Sequence, residues 1–349
     1  MTEDSPIFIV GMPHSGTTLL QASLAAHPQI AIAPQTRFLS YWVPHHPTAE
    51  PQDERDFERF WTEFVDSSQF QNLGLDADTL YDRLLARGVP TFKTVFSTLL
   101  RAHAWRCGKP QWGEQTSSHR CYIGQLLDWY PSARIIYMLR DPRAIVASLL
   151  DAPWTNAAPE FHAAHWRDSI QALLRWGCDE RLYRVHYEAL LIDPEAVLRK
   201  VCAFLGEPFD PAVLARCEAT VTTPASHAKW GRRHLSNALG PLRTDCLTKW
   251  QLRLTPNQVA IVEYLTRKGM LRYGYELSSE GPGALLWSTL MLKRLWARVK
   301  LQSNRLRGQT ARPIDPPSWV SDQAQPAMGV DRKTDEEAAD AQQRQSLGP

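Results

Sequence analysis

Two stretches of this chain combine residue types that bind anions. The first is Gly11, Met12, Pro13, His14, Ser15, Gly16, Thr17 and Thr18, which follows the apolar run Ile7, Phe8, Ile9 and Val10. Backbone N–H groups turned inward around the two glycines make a cradle for phosphate or sulfate oxygens, helped by the free donors and positive dipole end of a helix starting near Thr17. Thr17 and Thr18 add hydroxyls where a bound oxyanion needs further donors. The Gly-x-x-x-x-Gly spacing alone also suits an ordinary strand-to-helix turn. A nucleoside-triphosphate loop carries lysine after its second glycine, and Thr17 occupies that place here. The second stretch runs from Arg140 through Asp141, Pro142 and Arg143 to Ser148. Arg143 falls in a first helical turn, an end that favours anions over cations, so either a bound anion or a surface salt bridge to Asp141 or Asp151 accounts for it.

These residues need elements to position them. The run 7–10 reads as a strand, 17–26 as a helix ended by His27-Pro28, and 30–33 as a second strand with Pro34, Gln35, Thr36, Arg37 and Phe38 at its C-terminal end. Residues 41–108 change to polar and aromatic helical segments, with Phe57, Phe60, Trp61 and Phe64 on one face. That region reads as a helical insertion that shapes a second substrate's pocket, or as structural filler. Gln111 to Gln115 returns to the sheet, and 134–139 is a buried strand leading into a helix capped by Asp141 with Pro142 at its first position. A long helix is expected over 159–181, a strand over 182–187, and a helix over 194–205 closed by Gly206. Strands alternating with helices predict an α/β fold with a parallel sheet. Ligands of such sheets bind at the C-terminal ends of the strands, where both anion-binding stretches fall.

The bulk composition narrows the function classes. A net charge of +2 over 349 residues argues against a nucleic-acid partner. The six cysteines show no paired spacing, so neither a metal site nor a disulfide framework is expected. The N-terminus lacks a basic start followed by a long apolar stretch, and the uncharged run 281–292 is shorter than the roughly 18 residues needed to span a bilayer. The expectation is a cytoplasmic protein. Over 283–307 an amphipathic helix carries Leu285, Leu292, Leu295, Trp296 and Val299 on one stripe, for packing on the body or, alternatively, for peripheral contact with an anionic membrane surface. Residues 308–349 have the composition of a disordered tail.

Taken together, the two anion-binding stretches resemble the sulfotransferases that use 3′-phosphoadenosine 5′-phosphosulfate (PAPS). The resemblance is to the bacterial and tyrosylprotein-type branch. It extends to 187–194, to 202–206, and to Lys249 and Trp250 before Leu254-Thr255-Pro256, and it covers about residues 6–277. It implies a P-loop-type parallel sheet flanked by helices, no metal, and PAPS as co-substrate. Gly11, Pro13, His14, Ser15, Gly16, Thr17 and Thr18 would bind the 5′-phosphosulfate. Arg140 and Ser148 would bind the 3′-phosphate, and the segment from Lys229 to Lys249 and Trp250 would cover the adenosine side. The implied reaction is an in-line sulfuryl transfer to a hydroxyl or amine of a small-molecule, carbohydrate, lipid or peptide acceptor, with catalysis mostly by positioning and charge stabilisation.

Three positions depart from the family pattern. His14 replaces the first-loop lysine or arginine and can neutralise a leaving phosphate only when protonated, which requires the bound anions to raise its reference pKa near 6.5. Gln35 replaces the glutamate base, and Gln115 replaces a lysine that follows Trp-Gly-Glu in many relatives. At an effective dielectric of about 20, one charge at 4 Å is worth roughly 4 kcal/mol, on the order of a thousandfold in rate if it acts only in the transition state. Glu114, His119, His45 and His46 are candidate substitute bases. A catalytically weak PAPS-binding relative serving as a binding or scaffold protein is the alternative reading, and a P-loop kinase is a third, disfavoured by Thr17.

Overall fold

The computed structural model describes residues 5–152, 155, 158–214, 244–281 and 283. The helix expected over 283–307 (apart from Gly283), the tail, and the basic segment containing Lys229 lie outside the described residues. The chain begins with β1 (Ile7–Gly11), α1 (Thr17–Ala25) and β2 (Ile30–Ala33). Helices follow as α2 (Val43–His45), α3 (Glu54–Val65), α4 (Ser68–Gln71), α5 (Ala77–Leu85) and α6 (Phe92–Arg106). Next come β3 (Gln111–Gln115), α7 (Ile123–Trp129), β4 (Arg134–Leu139), α8 (Pro142–Leu150), α9 (Pro159–Leu174) and β5 (Leu182–His186). The last described elements are α10 (Tyr187–Ile192), α11 (Pro194–Leu205), α12 (Lys249–Arg253) and α13 (Pro256–Arg272).

The five strands form one parallel sheet in the order β2-β3-β1-β4-β5. Burial on both faces explains why β1 and β4 are continuous apolar runs rather than alternating ones. Ile7, Ile9, Ile136 and Met138 pack with Leu19, Leu20 and Leu24 of α1 on one face. Phe8, Val10, Tyr137 and Leu139 meet the helical insertion on the other. Gly11 pairs with Met138, so the loop after β1 starts beside the C-terminal end of β4.

The insertion is built from short helices that begin at polar caps. The side chains of Asp53, Ser67, Asp76 and Thr91 accept from the N–H groups of Asp56, Phe70, Thr79 and Thr94, satisfying helix-end donors that would otherwise lack partners. Phe57, Phe60, Trp61 and Phe64 are buried as their spacing predicts. Phe60 and Phe64 reach Phe38, whose ring stacks on Phe96 at 5.0 Å and meets Phe60, Phe64 and Phe92 edge-on at 5.8–6.1 Å. Each such pair contributes about 0.5–1.5 kcal/mol beyond area burial. Phe38 lies three residues after Gln35, so the insertion anchors the loop at the end of β2.

Two element boundaries differ from the sequence expectation. α9 stops at Leu174 rather than near Arg181, because the chain turns at Gly177 and the Asp179 carboxylate accepts from Arg181 N–H at 2.9 Å. Tyr187 opens α10 instead of ending the strand. α11 ends at Gly206 with φ 78°, the left-handed geometry that glycine adopts without steric cost.

Candidate functional site

The loop from Gly11 to Thr18 has the construction of an anion cradle. α1 starts at Gly16 without a side-chain cap and with no acidic residue in its first turn, so its leading N–H groups face outward unneutralised. Neither glycine has room for a side chain. A Cβ at Gly11 would lie 2.8 Å from the Met138 carbonyl oxygen, and one at Gly16 (φ 94°) would lie 2.3 Å from the Tyr187 ring. Ser15 is fully buried, and its hydroxyl has no hydrogen-bond partner among the described residues. An orphaned buried hydroxyl beside an uncapped helix start fits a bound oxyanion. His14 takes the left-handed region at φ 64°, which few residues other than glycine enter.

Arg140 and Ser148, which the resemblance groups together, both meet the same residue of this loop. Arg140 Nη1 donates to the His14 carbonyl at 2.6 Å, and Ser148 Oγ lies 2.6 Å from His14 Nδ1. The Arg140 guanidinium stacks 4.3 Å above the Tyr187 ring, and Trp166 Nε1–H donates to the Arg140 carbonyl at 3.1 Å. The loop after β1, α9 and α10 thus together fix one arginine at the end of β4. Behind it, Glu188 accepts from Asp141 N–H at 2.8 Å and from the Tyr275 hydroxyl at 3.2 Å, and burial pushes its carboxyl above the usual value.

Arg143 makes the salt bridge to Asp141 that the sequence offered as one of two readings, but the pair is buried and includes a second carboxylate. It is buried, neither at the surface nor facing an anion site. Its guanidinium donates to Asp141 (2.6 Å) and Glu263 (2.6 Å) and stacks 4.1 Å over Trp250. Glu263 in turn accepts from the backbone N–H groups of Ser278 and Ser279 at 2.9 and 2.8 Å, tying α8 to the segment after α13. Asp141 also caps α8 through Arg143 N–H at 2.8 Å. Arg143 therefore neutralises two carboxylates, and the helix end that it occupies is already capped. Trp250 is buried against it, while Lys249 is exposed at the start of α12.

Gln115, which the resemblance marks as a departure, adjoins the anion loop. It is buried, and its Nε2 donates to Thr17 Oγ1 at 3.0 Å and to Ser117 Oγ at 3.2 Å. The Gln115 amide therefore spends its donors on hydroxyls of and beside the anion loop and carries no charge there. Pro13 and Thr18 are partly exposed on the same loop, and Gln35 is half-buried at the end of β2.

The candidate bases separate clearly. Glu114 is buried, and one oxygen accepts from Thr36 N–H (2.8 Å), the Thr36 hydroxyl (2.5 Å) and the Thr116 hydroxyl (2.5 Å). Its other oxygen lies 3.0 Å from His119 Nδ1. Leu39 N–H donates to His119 Nε2 at 3.1 Å, so that nitrogen holds the lone pair and the proton is on Nδ1, facing Glu114. Burial pushes the Glu114 carboxyl up, but His119 and the Thr116 and Thr36 hydroxyls outweigh it and hold it below the ordinary carboxylate value. Both groups are committed to holding residues 36–39. His46 lies 3.5 Å from Asp56, on the insertion. His45 is exposed, stacks on Tyr41 at 4.2 Å and donates from Nδ1 to the Tyr41 carbonyl at 2.7 Å, which leaves Nε2 as its basic nitrogen.

Sequence reasoning missed two buried cations. Arg37, 4% exposed, follows β2 in the left-handed region (φ 58°), and burial brings its pKa down to about 10. Arg120, 7% exposed, follows β3 and donates to the Ser117 carbonyl at 3.4 Å. Burial and the charge on Arg120 lower His165 to about 4. The available signal was position: each arginine lies within five residues of the C-terminal end of a sheet strand.

A parallel sheet with a glycine-rich anion loop after its central strand defines a P-loop-type α/β protein. The sulfotransferase family model matches residues 6–211, more than half of the chain, and the chain belongs to the sulfotransferase family. Protein-tyrosine sulfotransferase A of Caenorhabditis elegans is 25% identical over 289 residues, covering 79% of this chain and 68% of that protein. Protein-tyrosine sulfotransferase 1 of Danio rerio is 26% identical over 265 residues, covering 71% and 66%. The chain thus spans about two thirds of the length of these relatives. The sulfotransferase domain from the curacin biosynthetic pathway shares the fold with a TM-score of 0.55 at 19% identity, covering 78% of this chain and 98% of that one. The sulfotransferase domain from the Synechococcus PCC 7002 olefin synthase gives 0.54 at 20% identity, covering 79% and 98%.

Proposed function

We propose that this protein transfers a sulfuryl group from PAPS to a hydroxyl group, with a tyrosine phenol in a peptide or protein as the first acceptor class. The observation that carries the reading is the convergence of Arg140 and Ser148 on His14. It puts the residues expected to hold a 3′-phosphate and those expected to hold a 5′-phosphosulfate in one site. PAPS supplies the activated sulfuryl group. The chain supplies the backbone donors of 11–18, the hydroxyls of Ser15, Thr17 and Thr18, and the charge of Arg140.

The phenol is favoured by what the site lacks. With Gln35 in the base position and Glu114 and His119 held in hydrogen bonds, an acceptor that ionises readily has the advantage. A phenol, with pKa near 10, gives up its proton far more easily than an alkyl alcohol. The names of the curated relatives support the same class. Arg37 and Arg120 are buried cations just after β2 and β3, whereas Gln115 carries no charge.

Two measurements test this reading. The product nucleotide 3′-phosphoadenosine 5′-phosphate (PAP) should raise the melting temperature more than ADP or ATP does. At 100 times its dissociation constant it adds about 2.7 kcal/mol. Radiolabelled sulfate from PAPS should then appear on a tyrosine peptide and not on its phenylalanine counterpart. Preference for ATP would refute the donor, and binding of PAP without transfer to any acceptor pool would favour a binding or scaffold role.

A further inference from the structure

Arg120 and Arg143 are buried alike, at 7% and 6% exposure, yet only Arg143 has carboxylates within reach. Arg120 has no carboxylate partner among the described residues. Its Nη1 donates to the Ser117 carbonyl at 3.4 Å, and its Nε is buried without a hydrogen-bond partner. Close to it are His165, which burial and the Arg120 charge lower to about 4 and so keep neutral at neutral pH, and the Tyr137 hydroxyl, which bonds to Ser169. Neither supplies a counter-charge. A guanidinium keeps its proton and its five donors, so a buried one without a carboxylate calls for an anion from outside the chain.

Ser117 carries a second, independent sign of a ligand. Gln115 Nε2 donates to Thr17 Oγ1 at 3.0 Å and to Ser117 Oγ at 3.2 Å, and the two hydroxyl oxygens lie 3.0 Å apart. Each hydroxyl has one proton to give. One of the two protons lies between the oxygens, and the other has no acceptor among the described residues. Thr17 and Ser117 are both buried, so an oxyanion beside the loop would take that proton.

The sheet order decides which end of the donor lies here. β1 runs between β3 and β4. On one side of the loop, β4 leads to Arg140 and Ser148, the expected 3′-phosphate ligands, and on the other β3 leads to Ser117 and Arg120. A donor laid across the loop with its 3′-phosphate on the β4 side presents its sulfuryl end on the β3 side. We propose that the turn Ser117–Tyr122 holds the sulfuryl oxygens of PAPS, with Arg120 supplying the charge and the Thr17–Ser117 pair supplying a hydroxyl donor. This inference rests on the sulfotransferase reading. Arg120 then provides, from the turn, the positive charge that Gln115 does not carry.

Calorimetry on the full chain tests this by comparing PAPS with PAP, which differ only in the sulfuryl group. Arg120→Met should weaken PAPS binding about tenfold or more, the loss of a charge-assisted hydrogen bond, and leave PAP binding within about twofold. An apolar side chain of similar size in place of an uncompensated buried charge should hold or raise the melting temperature of the ligand-free protein, which loss of a structural arginine would lower. Gln115→Lys in the Arg120→Met background should restore the preference for PAPS, because it returns a cation beside Thr17. Ser117→Ala should weaken PAPS more than PAP. Unchanged PAPS binding in Arg120→Met, an equal loss for PAPS and PAP, or a variant that melts well below wild type overturns the assignment. If the wild-type protein binds neither nucleotide, the sulfotransferase reading falls with it, whereas PAP binding with a PAPS affinity indifferent to Arg120 removes this inference alone.

Discussion

Replacing Glu114 with glutamine removes a charge but almost no volume, and the geometry around it sets the cost. One carboxylate oxygen takes three donors and the other faces His119 Nδ1–H. Glutamine has one oxygen. If that oxygen stays with Thr36 and Thr116, the amide NH2 meets His119 Nδ1–H, donor against donor. Moving the imidazole proton to Nε2 relieves that conflict but sets Nε2–H against Leu39 N–H, which donates there now. Either arrangement leaves two buried groups unsatisfied at about 1–3 kcal/mol each, about 4 kcal/mol in the middle of the range. At roughly 2–4 °C per kcal/mol for a domain of this size, Glu114→Gln should lower the melting temperature by about 8–16 °C near neutral pH. The pH dependence follows from the direction of the shift. The folded carboxyl is held below its unfolded value near 4.3, so its contribution is present above that value and is lost as pH falls through the folded one. The gap between wild type and variant, followed by circular dichroism melting, should narrow on acidification. A variant melting within about 1 °C of wild type at neutral pH, or a gap that widens in acid, would refute the account of Glu114 as the clamp on residues 36–39.

The remaining predictions concern the anion loop and the two arginines that flank Asp141. Gly16→Ala puts a Cβ within 2.3 Å of the Tyr187 ring in a left-handed conformation, which costs about 1–2 kcal/mol before any clash. Because Arg140 stacks on Tyr187, PAP affinity measured by calorimetry should fall at least about tenfold, and unchanged affinity would count against the cradle. Arg143→Met leaves Asp141 and Glu263 buried without their cation and should cost about 3–5 kcal/mol in urea denaturation. Arg140→Met should instead weaken PAP binding while keeping most of the stability, and a reversal of these two outcomes would show that the arginines have been assigned the wrong way round.

Much of the architecture was legible in the residues because local chemistry and the tertiary fold agree. The apolar runs at Ile7–Gly11 and Arg134–Leu139 are strands because a parallel sheet buries both faces, and Asp141 with Pro142 starts α8 as capping chemistry requires. The strand-loop-helix at 7–18 was equally legible, since an apolar run broken by glycines and resumed as a helical pattern marks it locally. The end of α9 was not: the turn at Gly177 depends on an Asp179 side chain that competes with helical hydrogen bonding.

By itself the sequence determined the fold class and the strand-loop-helix at 7–18, and the resemblance singled out His14, Gln35 and Gln115 as expected departures from the family pattern. Only the tertiary structure decided what the charged residues do. Arg140 and Arg143 are three positions apart and chemically identical, yet one reaches the His14 carbonyl while the other is enclosed between Asp141 and Glu263. The reason is that an arginine's role depends on which carboxylates lie within reach. Glu263 is 120 residues from Arg143 in the chain, and no local pattern specifies a partner at that distance. The same holds for the contact between His14 and Ser148, which exists because β1 and β4 are neighbours in the sheet.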